Sequence, residues 1–287
     1  MYTPSPSSKC NLRHPYNSHI INDINKQEEF MMSETTLKYN EPWILQRADP
    51  YVYRHTDGWY YFTASVPAYD RIVLRRAKSI GALADAEEKT IWMKHESGPM
   101  SKHIWAPELH YLFGKWYIYF AGGEEEDIWK IRPYVLECQG EDPINDPWVE
   151  MGKMRRAQDD EFSFEAFSLD ATVFEVHGRW YYVWAEKVGV GKQISNLYIA
   201  EMENGYTLKT VQVLLTTPDY DWERVGFWVN EGPGHNSFTK DEDGNDIMVY
   251  HARKETVIEG DPLYNPNRHA MLMQVRWEND RPVFSYR

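Results

Sequence analysis

Cysteine is nearly missing from these 287 residues: Cys10 and Cys138 are the two present, and they lack the spacing of metal ligands. That excludes a disulfide framework and leaves two free thiols. Positive charge is scarce as well. Lys plus Arg number 31 against 44 Asp plus Glu, a net charge of -13 that repels nucleic-acid phosphates and anionic membrane surfaces. No nucleic-acid or membrane partner is therefore expected, and a neutral or cationic one fits better. No apolar run approaches the roughly 18 residues that would mark a membrane span. Helical signals are almost absent, SIGALADAEEK (79–89) being the best candidate and a short one.

What the chain does have is apolar and aromatic material, 42% and 15% of its residues, enough for one large domain or two small ones. It is unevenly spread. Residues 1–40 are polar, rich in Ser, Asn and Pro, and without alternation or a helical apolar face, so they read as a disordered tail ahead of a domain at 41–287. No apolar core follows a basic start there, so no secretory signal is read and a cytoplasmic protein is expected. Secretion stays open if the N-terminus is mis-assigned, Met31 and Met32 being alternative starts.

Beyond the tail the chain repeats itself. GWYYFTAS from Gly58, GKWYIYFAG from Gly114, GRWYYVWAE from Gly178 and GNDIMVYHAR from Gly244 are spaced by 56, 64 and 66 residues. Each follows a short strand-like run (PYVYRH, ELHYLF, ATVFEVH, HNSFTK) and begins at a glycine turn, which makes each a hairpin. Two further strand-like runs follow every hairpin, giving four strands per repeat. The pattern predicts an all-β fold, a β-propeller with four recognisable blades. One or two β-sandwiches are the alternative.

In a propeller the first strand of each repeat lines the central channel. Near those strands stand Asp49 (RADP), Glu108 (WAPELH), Asp170 (SLDATVF) and Glu231 (VNEGPGH). Singly, each could be a turn or capping acid. Together they send carboxylates towards one axis, an arrangement suited to glycoside hydrolysis, in which one carboxylic acid protonates the leaving oxygen and a second carboxylate activates water or attacks. Trp105, Tyr69, Phe167 and Trp228 lie close to these acids in sequence and are candidates for a sugar platform.

RADPYVYRHTDGWYYFTASVPAYDRIVLRRA, HIWAPELH, SLDATVFEVHGRWYYVWA, WVNEGP, GPGHNSF, VYHAR and NPNRH, in this order over about residues 42–287, together resemble glycoside hydrolase family 43. Within it they are most similar to exo-acting α-L-arabinofuranosidases that remove terminal arabinose from arabinan. The resemblance implies a five-bladed propeller, inversion of configuration and three acids: Asp49 as general base, Asp170 tuning and orienting the acid, and Glu231 as general acid. Inversion needs acid and base roughly 6.5–9.5 Å apart. Glu108 is not one of the three and reads as a scaffold acid. The resemblance also implies sugar contacts from Arg253 and Arg268, and puts His251 at the axis beside water or a metal, with Ca²⁺ an optional ion and no cofactor required for chemistry. A β-xylosidase and a catalytically impaired carbohydrate-binding propeller are the competing functions.

One departure stands out. The NEGP and GPGHNSF motifs should open successive blades, yet here they are fused as VNEGPGHNSF, with Glu231 and His235 four residues apart. A repeat of about 60 residues is missing, which leaves either a four-bladed ring or an open edge. The tail reading carries a direct test: deletion of residues 1–30 is expected to leave the thermal unfolding midpoint unchanged, because the segment has no pattern able to bury a core. A drop of several degrees would mean that the segment pairs with a blade.

Overall fold

The computed structural model describes residues 41–188, 194–217, 234–255 and 257–284. They form four antiparallel sheets in chain order. Blade 1 contains β1 (Ala48–Arg54), β2 (Tyr60–Ser65), β3 (Arg71–Ala77) and β4 (Lys89–Met93), and blade 2 contains β5 (Pro99–Leu112), β6 (Lys115–Glu124), β7 (Arg132–Cys138) and β8 (Trp148–Lys153). Blade 3 has β9 (Ser168–Val176), β10 (Arg179–Val188) and β11 (Ile194–Asn204), flanked by the short β12 (Thr207–Leu208) and β13 (Val213–Thr216). Blade 4 is β14 (Gly234–Lys240), β15 (Asp246–Ala252), β16 (His269–Glu278) and β17 (Arg281–Phe284). The all-β propeller read from the repeats is the fold.

The hairpins form where the turn chemistry permits. Phe113-Gly114 and His177-Gly178 are two-residue loops with both residues at positive φ, the type I′ geometry whose twist matches the flanking strands and whose second position suits glycine. The expected helix at 79–89 is instead a single 3₁₀ turn, Gly81–Ala84. Arg75 Nη1 donates to the carbonyls of Leu83 and Ala84, engaging acceptors that further helical turns would require.

Aromatic faces hold neighbouring blades together. Tyr61, Ile72 and Leu74 of blade 1 pack on Leu109, Trp116 and Ile118 of blade 2, and Tyr117, Tyr119 and Val135 of blade 2 pack on Val173, Tyr182 and Trp184 of blade 3. Blade 4 joins blade 1 and the segment leading into it through polar contacts: the Trp43 amide, ahead of β1, donates to the Ala270 carbonyl, Ser237 Oγ to the Pro50 carbonyl and Arg54 Nη1 to the Asp241 carbonyl. Cys138 is a buried free thiol, whereas Cys10 lies outside the described residues.

Among the described elements, no comparable packing joins blade 3 to blade 4. The two faces of blade 3 differ accordingly. Ala171, Val173, Tyr182, Trp184 and Tyr198 are buried on one side, while Phe174, Val176 and Leu197 on the other are exposed, and β13 is exposed along its whole length. The departure noted in the sequence, VNEGPGHNSF, falls at this junction. Two substitutions measure the asymmetry by urea unfolding. Trp184→Ala is expected to cost about 3–5 kcal/mol, as loss of a fully buried aromatic does, and Leu197→Thr within about 0.5 kcal/mol, as at an uncovered surface. A large loss from Leu197→Thr would mean that this face is packed.

Candidate active site

Each innermost strand carries the same irregularity, near its start in β1, β9 and β14 and midway along the longer β5. Ladder pairing slips by one residue between Ala48 and Tyr51 in β1, between Trp105 and Glu108 in β5, between Leu169 and Thr172 in β9 and between Gly234 and Ser237 in β14. Within each bulge one non-glycine residue is left-handed: Asp49 (φ 50), Ala106 (φ 47), Asp170 (φ 53) and His235 (φ 42). These are the structurally equivalent positions. In blade 2 the equivalent residue is therefore Ala106 and not Glu108, because a bulge is counted in ladder register rather than by the nearest acid. In blade 4 it is His235. Glu231 and Trp228 lie outside the described residues.

Asp49, Asp170 and His235 meet at one cavity of about 340 Å³, lined also by Trp105, Leu169, His251, Leu263 and Arg268. His235 stands between the two acids, its Nδ1 3.6 Å from Asp170 Oδ1 and 3.9 Å from Asp49 Oδ1. Asp49 is buried and held from several sides. Ser65 Oγ donates to Oδ2 at 2.6 Å while accepting the Ala106 amide hydrogen at 2.7 Å, so the blade 2 bulge steadies the blade 1 carboxylate. His251 Nδ1 is 3.0 Å from the Asp49 amide nitrogen and 3.1 Å from Oδ1, and Arg268 Nη1 is 3.7 Å from Oδ1.

These neighbours set the protonation states. Burial alone would raise the Asp49 carboxyl, but hydrogen bonding to His251 and the charges of His235, His251 and Arg268 hold it well below the usual carboxylate range. Asp170 goes the other way. Desolvation raises it, Asp49 and Glu108 add to the rise, and the opposing pull of His235 and Arg268 does not cancel them. Its side chain keeps 43% of its surface accessible, and it opens on the cavity. Burial works against a charged His235, yet the surrounding acids Asp170, Asp49 and Glu108 raise it overall, whereas burial lowers His251. The site therefore pairs an ionised acid with one that holds its proton more readily.

The remaining expected residues divide by place. Trp105 and Arg268 line the cavity. Tyr69 stands behind them, accepting from Arg268 Nη2 and donating to the Leu263 carbonyl at 2.6 Å. Phe167 is half-buried beside the same cluster with Lys187 Nζ 4.4 Å from its ring centre, and Arg253 Nη2 donates to the Pro262 carbonyl; neither lines the cavity. Glu108 is buried and joined at 2.8 Å to His110, as a scaffold acid would be. His235 and Ser65 were not foreseen as site residues. The sequence carries no signal for either: His235 is followed by Asn236 and Ser65 by Val66, so neither shares the proline that follows Asp49 and Ala106.

Among the described residues no three His, Cys, Asp or Glu side chains are grouped to hold a metal ion. Ca²⁺ takes six to eight oxygen ligands, and His251 offers a ring nitrogen already directed at Asp49. Among the described residues the donor set does not fit calcium, and the chemistry proposed for the site passes through none.

Acids converging from separate blades on a cavity at one mouth of the ring define a class: a propeller with a carboxylate centre. The family model described as glycosyl hydrolases family 43 matches residues 39–234 and 232–282. An extracellular exo-α-(1→5)-L-arabinofuranosidase of Streptomyces avermitilis is 39% identical over 85% of this chain and 62% of its own length, so this chain spans about three fifths of that relative. One of Streptomyces chartreusis is 41% identical over 78% of this chain and 85% of that protein. A solved α-L-arabinofuranosidase from Lactobacillus brevis superposes with a TM-score of 0.75 at 43% identity, covering 85% of this chain and 95% of that one. The chain belongs to glycosyl hydrolases family 43.

The same comparisons bear on the blade count. The family match breaks into two pieces that meet at 232–234, within the fused motif. The two Streptomyces alignments run over 306 and 285 residues while using 85% and 78% of 287, which leaves about 60 aligned positions without a counterpart here, the size of one four-stranded blade.

The site predicts a pH signature for folding. A raised histidine adds stability that is fully present below its unfolded pKa of about 6.5 and is lost as pH rises through the higher folded value. The lowered Asp49 acts at the other end, adding stability above about 3.9 that is lost as pH falls through its folded value. Denaturant unfolding between about pH 5 and 9 is expected to show a decline on the alkaline side that His235→Gln lacks. Parallel curves for the two proteins would remove the His235 contacts from this account.

Proposed function

We propose that this chain hydrolyses terminal α-L-arabinofuranosyl residues from arabinan or arabino-oligosaccharides with inversion, the carbohydrate being its partner and no cofactor taking part. The observation that carries the reading is the meeting of Asp49 and Asp170 from separate blades at one cavity, one acid kept ionised and the other raised. An ionised Asp49 suits a general base: it takes a proton from water as the oxygen attacks the anomeric carbon. Glu231 is proposed as the acid that gives its proton to the leaving oxygen, which makes the bookkeeping of one water per bond complete. Asp170 is proposed to tune and orient that acid. Arg268 and Trp105 are proposed to hold the sugar at the cavity wall, with Tyr69 fixing Arg268 from behind. Phe167 and Arg253, away from the cavity lining, are proposed to support the wall rather than to touch the sugar.

The names of the relatives favour the arabinofuranoside over the xyloside, and turnover of the two 4-nitrophenyl glycosides separates them. A second reading has its own observation. The absent blade adjoins the segment carrying Glu231, and an ångström of misplacement can lower a rate by about a hundredfold, so a propeller that binds arabino-oligosaccharides with little turnover is the alternative. Calorimetric binding without product would favour it. The domain is proposed to span residues 41–287 behind a tail at 1–40. As to compartment, the sequence reading is cytoplasmic while both Streptomyces relatives are called extracellular; detection of the protein in cell lysate or in culture medium decides.

Asp49→Asn and Glu231→Gln each keep shape and remove proton chemistry. Each is expected to lower kcat on the aryl arabinofuranoside by about 10²- to 10⁴-fold with the circular dichroism spectrum retained. Turnover close to wild type in either variant would take that residue out of its role.

A further inference from the structure

Two large aromatic side chains lie exposed beside the cavity. Trp129, in the loop after β6, is 54% exposed, and Tyr264, in the loop before β16, is 52% exposed. Between them stands the buried His103, whose ring centre is 5.4 Å from that of Trp129 and 6.1 Å from that of Tyr264. His103 occupies a second bulge of β5, again left-handed at φ 51, which turns it off the ladder. Burial lowers its pKa, so the ring is neutral: Nδ1–H donates to the Ile128 carbonyl at 2.9 Å, and Nε2 accepts the Tyr264 hydroxyl at 3.0 Å. One imidazole thus fixes the residue next to Trp129 and the tip of Tyr264 together.

The pair is continuous with the cavity. His103 stacks on Trp105, with ring centres 4.4 Å apart and planes at 21°, and Trp105 forms the cavity wall. On the other side Leu263, which also lines the cavity, directly precedes Tyr264. The Trp129 loop reads Glu124-Glu125-Glu126-Asp127 just ahead of the aromatic; Lys130 pairs with Glu124 at 2.9 Å and Lys102 with Glu125 at 3.0 Å, so the balance of charge beside Trp129 stays acidic and disfavours an anionic ligand. Rigid aromatic faces beside a polar cavity, with acidic surroundings, match a neutral sugar ring presenting its C–H face.

We propose that Trp129 and Tyr264 form a binding platform for the second sugar of the chain, the unit on the leaving-group side of the bond being cut. This rests on the activity proposed above. The cavity takes the terminal residue, and the platform outside it selects oligosaccharides over simple glycosides. His103 is a positioning residue for the platform and does not touch the substrate.

The test compares α-1,5-linked arabinotriose, which has a second sugar, with methyl α-L-arabinofuranoside, which has none. Trp129→Ala is expected to raise KM for the trisaccharide about tenfold more than for the methyl glycoside, with kcat changed little, and Trp129→Phe to recover most of the loss. Equal changes for both substrates would overturn the platform. If the wild-type protein hydrolyses neither substrate, the activity proposal fails by itself, and calorimetric titration of arabinotriose into wild type and Trp129→Ala still reads the platform. Weaker binding by about tenfold in the variant upholds it, and equal binding by the two proteins overturns it. The thermal midpoint of each variant, expected at the wild-type value for so exposed a side chain, separates lost contact from lost fold.

Discussion

The site depends on one backbone device, the bulge that interrupts each innermost strand where it reaches the mouth of the ring. A regular strand would alternate its side chains between the two neighbouring blades, and none would face the axis. The extra residue breaks that alternation, and a left-handed φ turns Asp49, Ala106, Asp170 and His235 away from the ladder. Left-handed non-glycine residues cost about 1–3 kcal/mol each, so they persist only where the surroundings over-determine them. Here the ladder resumes within one or two residues, and the Ser65 relay ties Asp49 to the amide of Ala106.

From that device follows the electrostatic character of the cavity. Two carboxylates from non-adjacent blades would repel each other, and the imidazole of His235, inserted between them from blade 4, makes their approach tolerable. His251 and Arg268 then bias the balance towards an ionised Asp49, leaving Asp170 as the acid whose charge is disfavoured. Separation of two carboxyls by environment rather than by chemistry is the arrangement that general acid and base work requires. The contact of His235 with Asp170 also spans the junction where, among the described elements, blades 3 and 4 lack packing comparable to that of the other blades.

That junction gives the chain its individuality within the family. A blade lost from a ring leaves two faces to account for, and on blade 3 one of them is apolar and exposed at Phe174, Val176 and Leu197. The acids at the mouth are positioned by their own strands and hairpins, so Asp49 and Asp170 keep their bulges and their common cavity despite the gap. Local geometry of this kind does not depend on the number of blades, because a blade's internal ladder is formed by residues close in sequence.

The sequence by itself determined the hairpins, the repeat and the family, though not the 3₁₀ turn at Gly81–Ala84. Aromatic hairpins opening at Gly58, Gly114, Gly178 and Gly244 follow from local turn chemistry and strand-like runs, and their spacing gives the repeat. Asp49, Asp170, Trp105 and Arg268 could be picked out because they sit in motifs whose order the resemblance supplied. Only the tertiary structure decided the register at the mouth. A bulge is one extra residue against a partner strand, invisible without the partner, and so Glu108 stood in the sequence for a position that Ala106 occupies, and His235 went unassigned. The rim was hidden for a like reason: Trp129, Tyr264 and His103 come together from distant loops, and no spacing along the chain records that one imidazole holds both rings.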